Sequence, residues 1–339
     1  MSLDLAALDG QRVLVTGATG FVGGHLVEAL RGSRAELRLL VRRSTNAAAE
    51  LETIRADLAE PATLTDACAG VDIVLHAAAA MPGQREAPRD LAGYRRVNVN
   101  GTLALARAAA MAGARRFVLV SSTAAMGTPP GREVDEDTPC RPRSPYEVTK
   151  HEAEQGLLAL ARETGMAMTI LRPCVIAGAG QRGGQLLKLF TLCRRGLFPA
   201  FDGKLDVRKP LVAVQDVVQA ILLAATRDGS PRIYLVTSGE PHLLADMVAI
   251  AGRLVGNPKP CRHAPLALAR LAAAVATPLA KAVRVQPPLT AERLDLFLAD
   301  RVIDIGRARR ELGYAPRHRS LDAMLAETHA WYAASGQLR

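Results

Sequence analysis

The chain has 339 residues, of which 49% are hydrophobic and 22% charged, and this ordinary globular composition provides enough apolar surface for a sizeable core. Its net charge of +10 comes from arginines scattered along the chain. No basic block is interleaved with aromatic residues, so we expect no nucleic-acid partner. Two explanations of the charge stay open: a solvated, arginine-rich surface, or attraction to anionic ligands or lipid headgroups.

The five cysteines form no C-x-x-C pair, and the seven histidines form no H-x-H or H-E-x-x-H arrangement. Neither a disulfide framework nor a metal site is therefore predicted, and unpaired cysteines are typical of a reducing cytosol. No basic segment leads into an apolar run near the N-terminus, and no run reaches the roughly 18 apolar residues of a spanning helix. We expect a cytoplasmic protein, either free or peripheral at the inner face of a membrane.

The first half of the chain alternates short apolar strands with helical patterns, as is typical of a parallel α/β sheet. Strands that are continuously apolar are buried on both faces. The pattern predicts strands at 12–16, 37–41, 53–56, 72–77, 117–121 and 167–171. It predicts helices near 22–31, 62–68, 91–112 and 145–164. The expected fold is a Rossmann-type, doubly wound parallel sheet of the α/β class.

After about residue 175, helical patterns dominate and loops rich in Pro and Gly separate them. The predicted helices lie near 183–195, 214–226, 243–255, 265–284, 289–298 and 319–334, with one strand at 232–236. We predict a dinucleotide-binding Rossmann domain at 1–175 and a smaller, mostly helical substrate-binding lobe at 176–339. A strand or helix within 205–236 that returns to the first domain is left open.

A glycine-rich turn, T-G-A-T-G-F-V-G-G at 16–24, follows the first strand and leads into an amphipathic helix. Gly17 allows the tight turn, Gly20 lets backbone approach a pyrophosphate, and Gly23 lets helix and strand pack closely. The free N–H groups at the helix N-terminus favour an anion. This strand-turn-helix context predicts dinucleotide binding in preference to a turn without ligand. The predicted residues are Gly17, Thr19, Gly20, Phe21, Val22 and Gly23.

Arg42 and Arg43 close the second strand. An acidic residue there would bind the ribose hydroxyls of NAD, whereas an arginine accommodates the 2′-phosphate of NADP. The sequence therefore favours NADP(H), with NAD(H) as the alternative if both arginines are simply solvated. The other contacts predicted nearby are Asp57 and Leu58 at the adenine edge, and Ala77, Ala78 and Ala79, which leave room beside the cofactor.

Tyr146 and Lys150 stand four residues apart at the start of a predicted helix, with Pro145 in its first turn. Their side chains therefore share one helix face. A free tyrosine titrates near pH 10 and is a poor proton shuttle at neutrality. A fixed ammonium and a positively charged nicotinamide would lower the Tyr146 pKa and make it a workable acid/base.

The preceding strand ends in three hydroxyl residues, Ser121, Ser122 and Thr123. Ligands of open α/β sheets bind at the carboxyl ends of the strands, which is where these side chains stand. Thr123, just past the strand, is the first choice for the donor that holds the substrate oxygen, and Ser122 is the second. Ser121 and Ser122 are also predicted to contact the cofactor.

Together these motifs resemble the extended short-chain dehydrogenase/reductase superfamily, of the NAD-dependent epimerase/dehydratase type. The likeness covers nearly the whole chain, through the motifs T-G-A-T-G-F-V-G at 16–23, D-L at 57–58, H-A-A-A at 76–79, N-V-N-G-T at 98–102, S-S-T at 121–123, Y-x-x-x-K at 146–150, L-R-P at 171–173 and R-R-E-L-G-Y at 309–314. It implies that Tyr146 is the acid/base and that Lys150 binds the nicotinamide ribose and tunes Tyr146. The other implied site residues are Thr123, which positions the reacting oxygen, Asn98, which supports the site, and Pro173, Val175 and Ile176, which line the nicotinamide.

Two departures separate the chain from the sugar-nucleotide members of that superfamily. Arg42-Arg43 replaces their acidic residue, and Lys209 and Ala213 replace the Arg and His of their R-D-[YF]-[IV]-H-V-x-D segment. The stretch 264–285 resembles the dihydroflavonol reductase-like and hydroxysteroid dehydrogenase-like branch. We therefore predict an NADP(H)-dependent oxidoreductase that interconverts an alcohol and a ketone on an apolar small molecule. The alternatives are an NDP-sugar epimerase or dehydratase with tightly held NAD(P), and a non-catalytic dinucleotide-binding protein.

The segment 264–285 carries apolar residues at three- and four-residue steps, which leaves two interpretations. It packs inside the second lobe, or its apolar face borders the substrate entrance and makes peripheral contact with a membrane. In the second case the residues expected to face lipid headgroups are Arg262, Arg270, Lys281 and Arg284. The oligomeric state is left open, a homodimer being one alternative.

Overall fold

The computed structural model describes residues 5–43, 50–84, 86–88, 90–129, 131–202, 205–282 and 291–338. The strands found there are β1 (Arg12–Thr16), β2 (Glu36–Val41), β3 (Glu52–Arg55), β4 (Ile73–His76), β5 (Arg116–Val120), β6 (Glu133–Val134), β7 (Ala167–Pro173), β8 (Val175–Ala177), β9 (Phe198–Phe201), β10 (Arg208–Lys209), β11 (Leu211–Ala213), β12 (Arg232–Val236), β13 (His242–Leu243), β14 (Cys261–Ala264) and β15 (Val302–Ile303).

The helices are α1 (Phe21–Leu30), α2 (Leu64–Cys68), α3 (Leu91–Arg95), α4 (Thr102–Met111), α5 (Pro145–Thr164), α6 (Gly184–Arg194), α7 (Val214–Ala225), α8 (Leu244–Leu254), α9 (Leu266–Ala282), α10 (Ala291–Leu298), α11 (Gly306–Leu312) and α12 (Leu321–Ala334). Short 3-10 turns lie at Ala6–Leu8, Pro61–Thr63 and Thr123–Met126. A π-helical segment, Arg96–Gly101, separates α3 from α4.

A seven-stranded sheet forms the centre of the molecule, with the strand order β12-β7-β5-β4-β1-β2-β3. Each neighbouring pair in it is parallel. The order runs outward in both directions from β1 and β4, so the sheet is doubly wound and its switch point lies at the carboxyl ends of those two strands. The predicted Rossmann-type α/β fold is confirmed.

The central strands are apolar throughout because alternate residues enter two different cores. In β1, Val13 and Val15 pack in a core with α1 and α7. Leu14 packs on the opposite face, in a core with α2, α4 and α5. Two-sided burial of this kind explains why the strands read as continuous apolar runs in the sequence.

The second half of the chain contributes both to the sheet and to a third core. β12 pairs with β7, and α7 packs beside α1, so the segment 205–236 does return to the first half. Helices α6, α8 and α12 bury Phe190, Met247 and Tyr332 in the third core. The pairs β9–β14 and β10–β13 form small sheets that the sequence pattern does not predict.

The single helix predicted at 91–112 is wrong in its middle, where the π-helical segment lies. Gly101 in this segment approaches the loop after β3 so closely that a Cβ would lie 2.5 Å from the carbonyl oxygen of Leu58. Asn98, in the same segment, is buried. The wider turn thus accommodates a close backbone approach and points a polar side chain inward.

Candidate active site

The glycine turn between β1 and α1 is shaped for close backbone approach. Gly17 has φ +71°, and a Cβ there would lie 2.7 Å from the backbone nitrogen of Ala78. A Cβ on Gly23 would collide with the carbonyl oxygen of Gly17. Gly20 is the N-cap of α1 and has no side chain that could accept a hydrogen bond from the first helical turn. The N–H groups of that turn therefore face the glycine turn. These features fit a bound pyrophosphate.

His76 fastens the turn to the sheet and to α4. One ring nitrogen, Nδ1, lies 2.6 Å from Thr16 Oγ1, and the other, Nε2, lies 2.9 Å from Thr102 Oγ1. Thr16 Oγ1 also accepts a hydrogen bond of 3.2 Å from the backbone N–H of Ala78. Burial, aided by the charge of Lys150, lowers the His76 pKa to about 3, so the ring is a neutral structural link.

Asn98 joins the loop after β4 to the catalytic helix. Its Oδ1 accepts from the Ala80 N–H at 2.8 Å, and its Nδ2 donates to the Ala80 carbonyl at 3.0 Å. The same Nδ2 lies 3.4 Å from Thr149 Oγ1 on α5. Asn98 therefore fixes the position of the loop 77–80, on which Ala77, Ala78 and Ala79 are placed.

Helix α5 begins and ends where its local sequence dictates. Ser144 and Glu147 form a capping box, and Pro145 occupies the first turn. The helix ends at Gly165, whose φ is +72°. Tyr146 and Lys150 lie on the first two turns, with Lys150 only 3% exposed.

Lys150 is anchored under the end of β5. Its Nζ donates a 3.0 Å hydrogen bond to the carbonyl of Val120. Burial lowers the Lys150 pKa to about 8, and the nearby Glu154 carboxylate opposes this shift. A buried ammonium at this place is available to bind a ribose hydroxyl and to act on a neighbouring phenol.

The Tyr146 phenol lies within hydrogen-bonding reach of Ser122, and its ring packs edge-on against Tyr94, with ring centroids 6.4 Å apart. Burial raises the Tyr146 pKa to about 12, while Ser122 acts in the opposite direction. The chain's own groups therefore raise the pKa instead of lowering it as we expected for the complex with cofactor. The cause is desolvation of the phenolate, which outweighs the hydrogen bond.

The structure distinguishes between the two candidate hydroxyls at the end of β5. Ser122 caps the turn Thr123–Met126 by accepting from the Ala124 N–H, and it is the one near Tyr146. The Thr123 side chain is half-buried at the start of that turn and makes no hydrogen bond within the described residues. Ser122, the second choice of the sequence analysis, thus lies near Tyr146, and the roles of both hydroxyls stay predictions.

Ser121 belongs to a buried ionic network that the sequence analysis missed. Its hydroxyl makes a short hydrogen bond to Glu154, one turn beyond Lys150 on α5. Glu154 in turn accepts from Arg172 Nε at 3.1 Å and from Arg172 Nη2 at 2.6 Å. Glu154 is fully buried and Arg172 is 2% exposed. The network ties the end of β5, α5 and β7 together one helical turn beyond Lys150.

The two arginines after β2 are paired with a carboxylate that the sequence analysis did not single out. Arg42 Nη1 lies 3.4 Å and Arg43 Nη2 2.6 Å from Glu86, which is on the loop after β4. All three side chains are substantially exposed. A 2′-phosphate binding to either arginine would compete with this carboxylate.

The remaining predicted cofactor residues lie at the carboxyl ends of β3 and β7, on either side of the switch point. Asp57 follows β3 and accepts from the Ala59 N–H at 2.8 Å, which fixes the loop that carries buried Leu58. Pro173 ends β7, while Val175 and Ile176 lie in β8, which pairs with β11. All of these residues follow parallel strands of the central sheet, at the edge where Gly17 and Ser122 are found.

Lys209, expected at a diphosphate position in sugar-nucleotide members, is engaged within the protein. Its Nζ donates to the Ala299 carbonyl at 2.8 Å and stands 6.0 Å from the centroid of the Phe297 ring. Burial lowers the Lys209 pKa to about 8.

In the part of the chain that is described, no group of His, Cys, Asp and Glu could hold a metal ion. No helix there is long and apolar enough to cross a membrane.

A sequence model of the NAD dependent epimerase/dehydratase family matches residues 13–237. The chain is 32% identical to the 4-hydroxy-2-methyl-3-oxo-4-farnesyl-3,4-dihydroquinoline-1-oxide ketoreductase of Stigmatella aurantiaca, over 92% of this chain and 95% of that protein. It is 32% identical to sterol demethylase protein B of Methylococcus capsulatus, over 96% and 99% of the two chains. Among solved structures, MoeE5 in complex with UDP-glucuronic acid and NAD is 28% identical, with a TM-score of 0.75 over 96% of this chain and 99% of that one.

The matched residues include the glycine turn, the hydroxyl residues after β5 and the Tyr146–Lys150 pair, and the match ends just beyond β12. The match thus covers the seven-stranded sheet, apart from Arg12 at the start of β1, and the site at its edge. The chain belongs to the NAD dependent epimerase/dehydratase family, and it is an NAD(P)-dependent enzyme of the extended short-chain dehydrogenase/reductase type.

Proposed function

We propose that this enzyme is an NADP(H)-dependent oxidoreductase that interconverts a ketone and an alcohol on an apolar small molecule, with Tyr146 as the acid/base. The observation that carries the proposal is that Ser122 lies near the Tyr146 phenol, while Lys150 Nζ bonds to the Val120 carbonyl at the end of the same strand, β5. The glycine turn follows β1 of the same parallel sheet. The relatives named as a farnesyl-quinoline-oxide ketoreductase and as a sterol demethylase protein support an apolar substrate.

The site residues would divide the work as follows. Ser122 donates a hydrogen bond to the substrate carbonyl oxygen, and Tyr146 transfers its phenolic proton to that oxygen as the carbonyl is reduced. The reduced nicotinamide supplies the hydride when bound. Lys150 holds the nicotinamide ribose and stabilises the phenolate that remains on Tyr146 after proton transfer.

Burial raises the Tyr146 pKa to about 12 in the protein without cofactor. At neutral pH this phenol carries its proton but is a weaker acid than a free tyrosine, so proton donation to a ketone depends on groups that stabilise the phenolate. Oxidation of an alcohol would instead need the phenolate, which depends on positive charge from Lys150 and from an oxidised nicotinamide. We infer that both directions depend on this positive charge, because each passes through a Tyr146 phenolate that burial alone destabilises.

The preference for NADP(H) is inferred from the charges after β2. Two arginines lie where a carboxylate would bind the ribose hydroxyls of NAD, and each could make a charge-assisted contact to a 2′-phosphate. Glu86 reduces the gain, since it pairs with both arginines. We therefore propose a preference for NADP(H) without complete exclusion of NAD(H).

An NDP-sugar epimerase or dehydratase is the second candidate, and the observation in its favour is the structural likeness to MoeE5 with its UDP-sugar and NAD. Such an enzyme retains its cofactor and returns the hydride to the same substrate, so it consumes no NADPH. The position of Lys209 argues against it, because the ammonium is buried against Ala299 and Phe297.

NADPH oxidation with a panel of apolar ketones and NDP-sugars tests the proposal. We expect turnover with at least one ketone, and loss of turnover by orders of magnitude in Tyr146→Phe with NADPH binding retained. Ser122→Ala should lower turnover far more than Thr123→Ala, which serves as the matched control. Release of tightly bound NAD on denaturation, with conversion of an NDP-sugar and no NADPH consumption, would instead establish the second candidate.

A further inference from the structure

Helix α9 has one buried side and one exposed apolar side. Ala269 and Ala273 are buried and belong to a small core that includes Phe201. Leu268 and Leu271 point away from this core, and each is 61% exposed. The helix thus packs on the lobe on one side, while two large apolar side chains remain exposed to solvent on another.

The sequence around this helix is entirely free of acidic residues. Between Asp246 and Glu292 the chain has 45 residues without Asp or Glu, although 33 acidic residues occur in the 339 of the whole chain. The cations of that stretch are Arg253, Lys259, Arg262, Arg270, Lys281 and Arg284.

Three of these cations are available to an outside partner. The side chains of Lys259, Arg262 and Arg270 are exposed, and within the described ranges none of them is in an ion pair. Arg253, in contrast, pairs with Asp322. Leu268, Leu271 and these three cations are all exposed and lie within the 13 residues 259–271, and we call this set the α9 surface. It combines apolar and positively charged side chains.

We propose that the α9 surface docks on an anionic lipid bilayer, with Leu268 and Leu271 inserted among the headgroups. Interfacial helices combine an apolar face with flanking basic residues in this way. A second copy of the chain fits less well, because a symmetric contact would bring two acid-free cationic surfaces together. A nucleic acid would use the cations but would leave the leucines without a role.

Docking would place the substrate lobe on the bilayer, which is where apolar compounds dissolve. α9 follows β14 directly, and β14 pairs with β9 in the lobe that the second half of the chain forms. An apolar ketone would then reach the enzyme from the bilayer without crossing water. This consequence rests on the proposed function, whereas the docking itself does not.

Co-sedimentation of the full chain with vesicles tests the docking without substrate or cofactor. We expect binding to vesicles that contain phosphatidylglycerol, weaker binding to pure phosphatidylcholine, and loss of most binding at high salt. Arg270→Gln should lower the partition coefficient about fivefold. Leu268→Ser and Leu271→Ser should each lower it about tenfold.

Matched controls come from elsewhere on the surface. Met111→Ser removes an apolar side chain that is 87% exposed on α4, and Arg34→Gln removes an exposed charge before β2; neither should change vesicle binding. The inference is overturned if the protein stays in the supernatant at low salt, or if the leucine and control variants bind alike. If heparin displaces the parent and the leucine variants from vesicles equally well, the α9 surface binds a soluble polyanion and not a bilayer. If the protein reduces ketones but does not sediment with vesicles, the docking is refuted and the proposed function stands.

Discussion

Removing Arg172 should destabilise the protein by leaving a buried carboxylate without its counter-charge. In Arg172→Met, the Glu154 carboxylate loses hydrogen bonds of 2.6 and 3.1 Å while remaining fully buried. Breaking a buried pair from one side costs about 3–5 kcal/mol. With an unfolding entropy of about 0.7 kcal/mol/K for a chain of this length, Tm should fall by about 4–7 °C.

A double variant separates lost charge balance from lost packing. Glu154→Gln added to Arg172→Met removes the remaining charge but keeps an oxygen that accepts from Ser121. We expect this double variant to regain at least half of the lost Tm, because no ionised group is then buried unpaired. Calorimetry at two pH values adds a second readout. The deficit of Arg172→Met should be smaller at pH about 5 than at pH about 8, since an unpaired buried carboxylate is relieved by taking up a proton.

The same variant should alter catalysis in a definite direction. The negative charge of Glu154 raises the Tyr146 pKa, and Arg172 balances that charge in the parent enzyme. Without Arg172, the Tyr146 limb of the kcat pH profile should move to higher pH. A Tm deficit that is equal at both pH values and is not reduced by Glu154→Gln would refute the reasoning, and would mean that Arg172 acts through its volume.

Three further outcomes follow from the site. NADPH affinity should fall as pH rises through about 8, where Lys150 loses its charge; fluorescence titration measures this, and a flat profile to pH about 10 would contradict it. Glu86→Gln should tighten NADPH binding by up to about fivefold and leave NAD binding unchanged, because it frees Arg43 for a 2′-phosphate. Gly23→Ala should abolish binding of both cofactors through collision with the turn, whereas Gly32→Ala, with no atom nearer than 3.7 Å, should bind normally.

The parts of the fold that were predictable are those set by neighbouring residues. Helix α5 has the predicted bounds because its capping box and its terminal glycine lie in the local sequence. Inner strands of the sheet, such as β1, β4 and β5, were identifiable because two-sided burial makes them continuously apolar. Strands of two or three residues, such as β8 and β11, were not, since each is defined by a partner far away in the chain.

The site residues also divide into those that neighbouring residues predict and those that depend on distant parts of the chain. Its glycine turn and the Tyr146–Lys150 pair follow from short-range spacing. The choice between Ser122 and Thr123 depends on how the chain bends after β5, which spacing does not determine. Pairs such as Glu154–Arg172 join residues on different elements, and only the folded chain brings them together.

The number of residues in the π-helical segment determines how the site is held together. An α-helix turns by about 100° per residue, so deleting one residue from 96–101 would let α3 and α4 join as one regular helix. The same deletion would swing Asn98 away from Ala80 and release the loop 77–80 that it holds. One additional residue in this segment thus determines where the Asn98 amide points. A shortened chain could keep its fold and lose its cofactor.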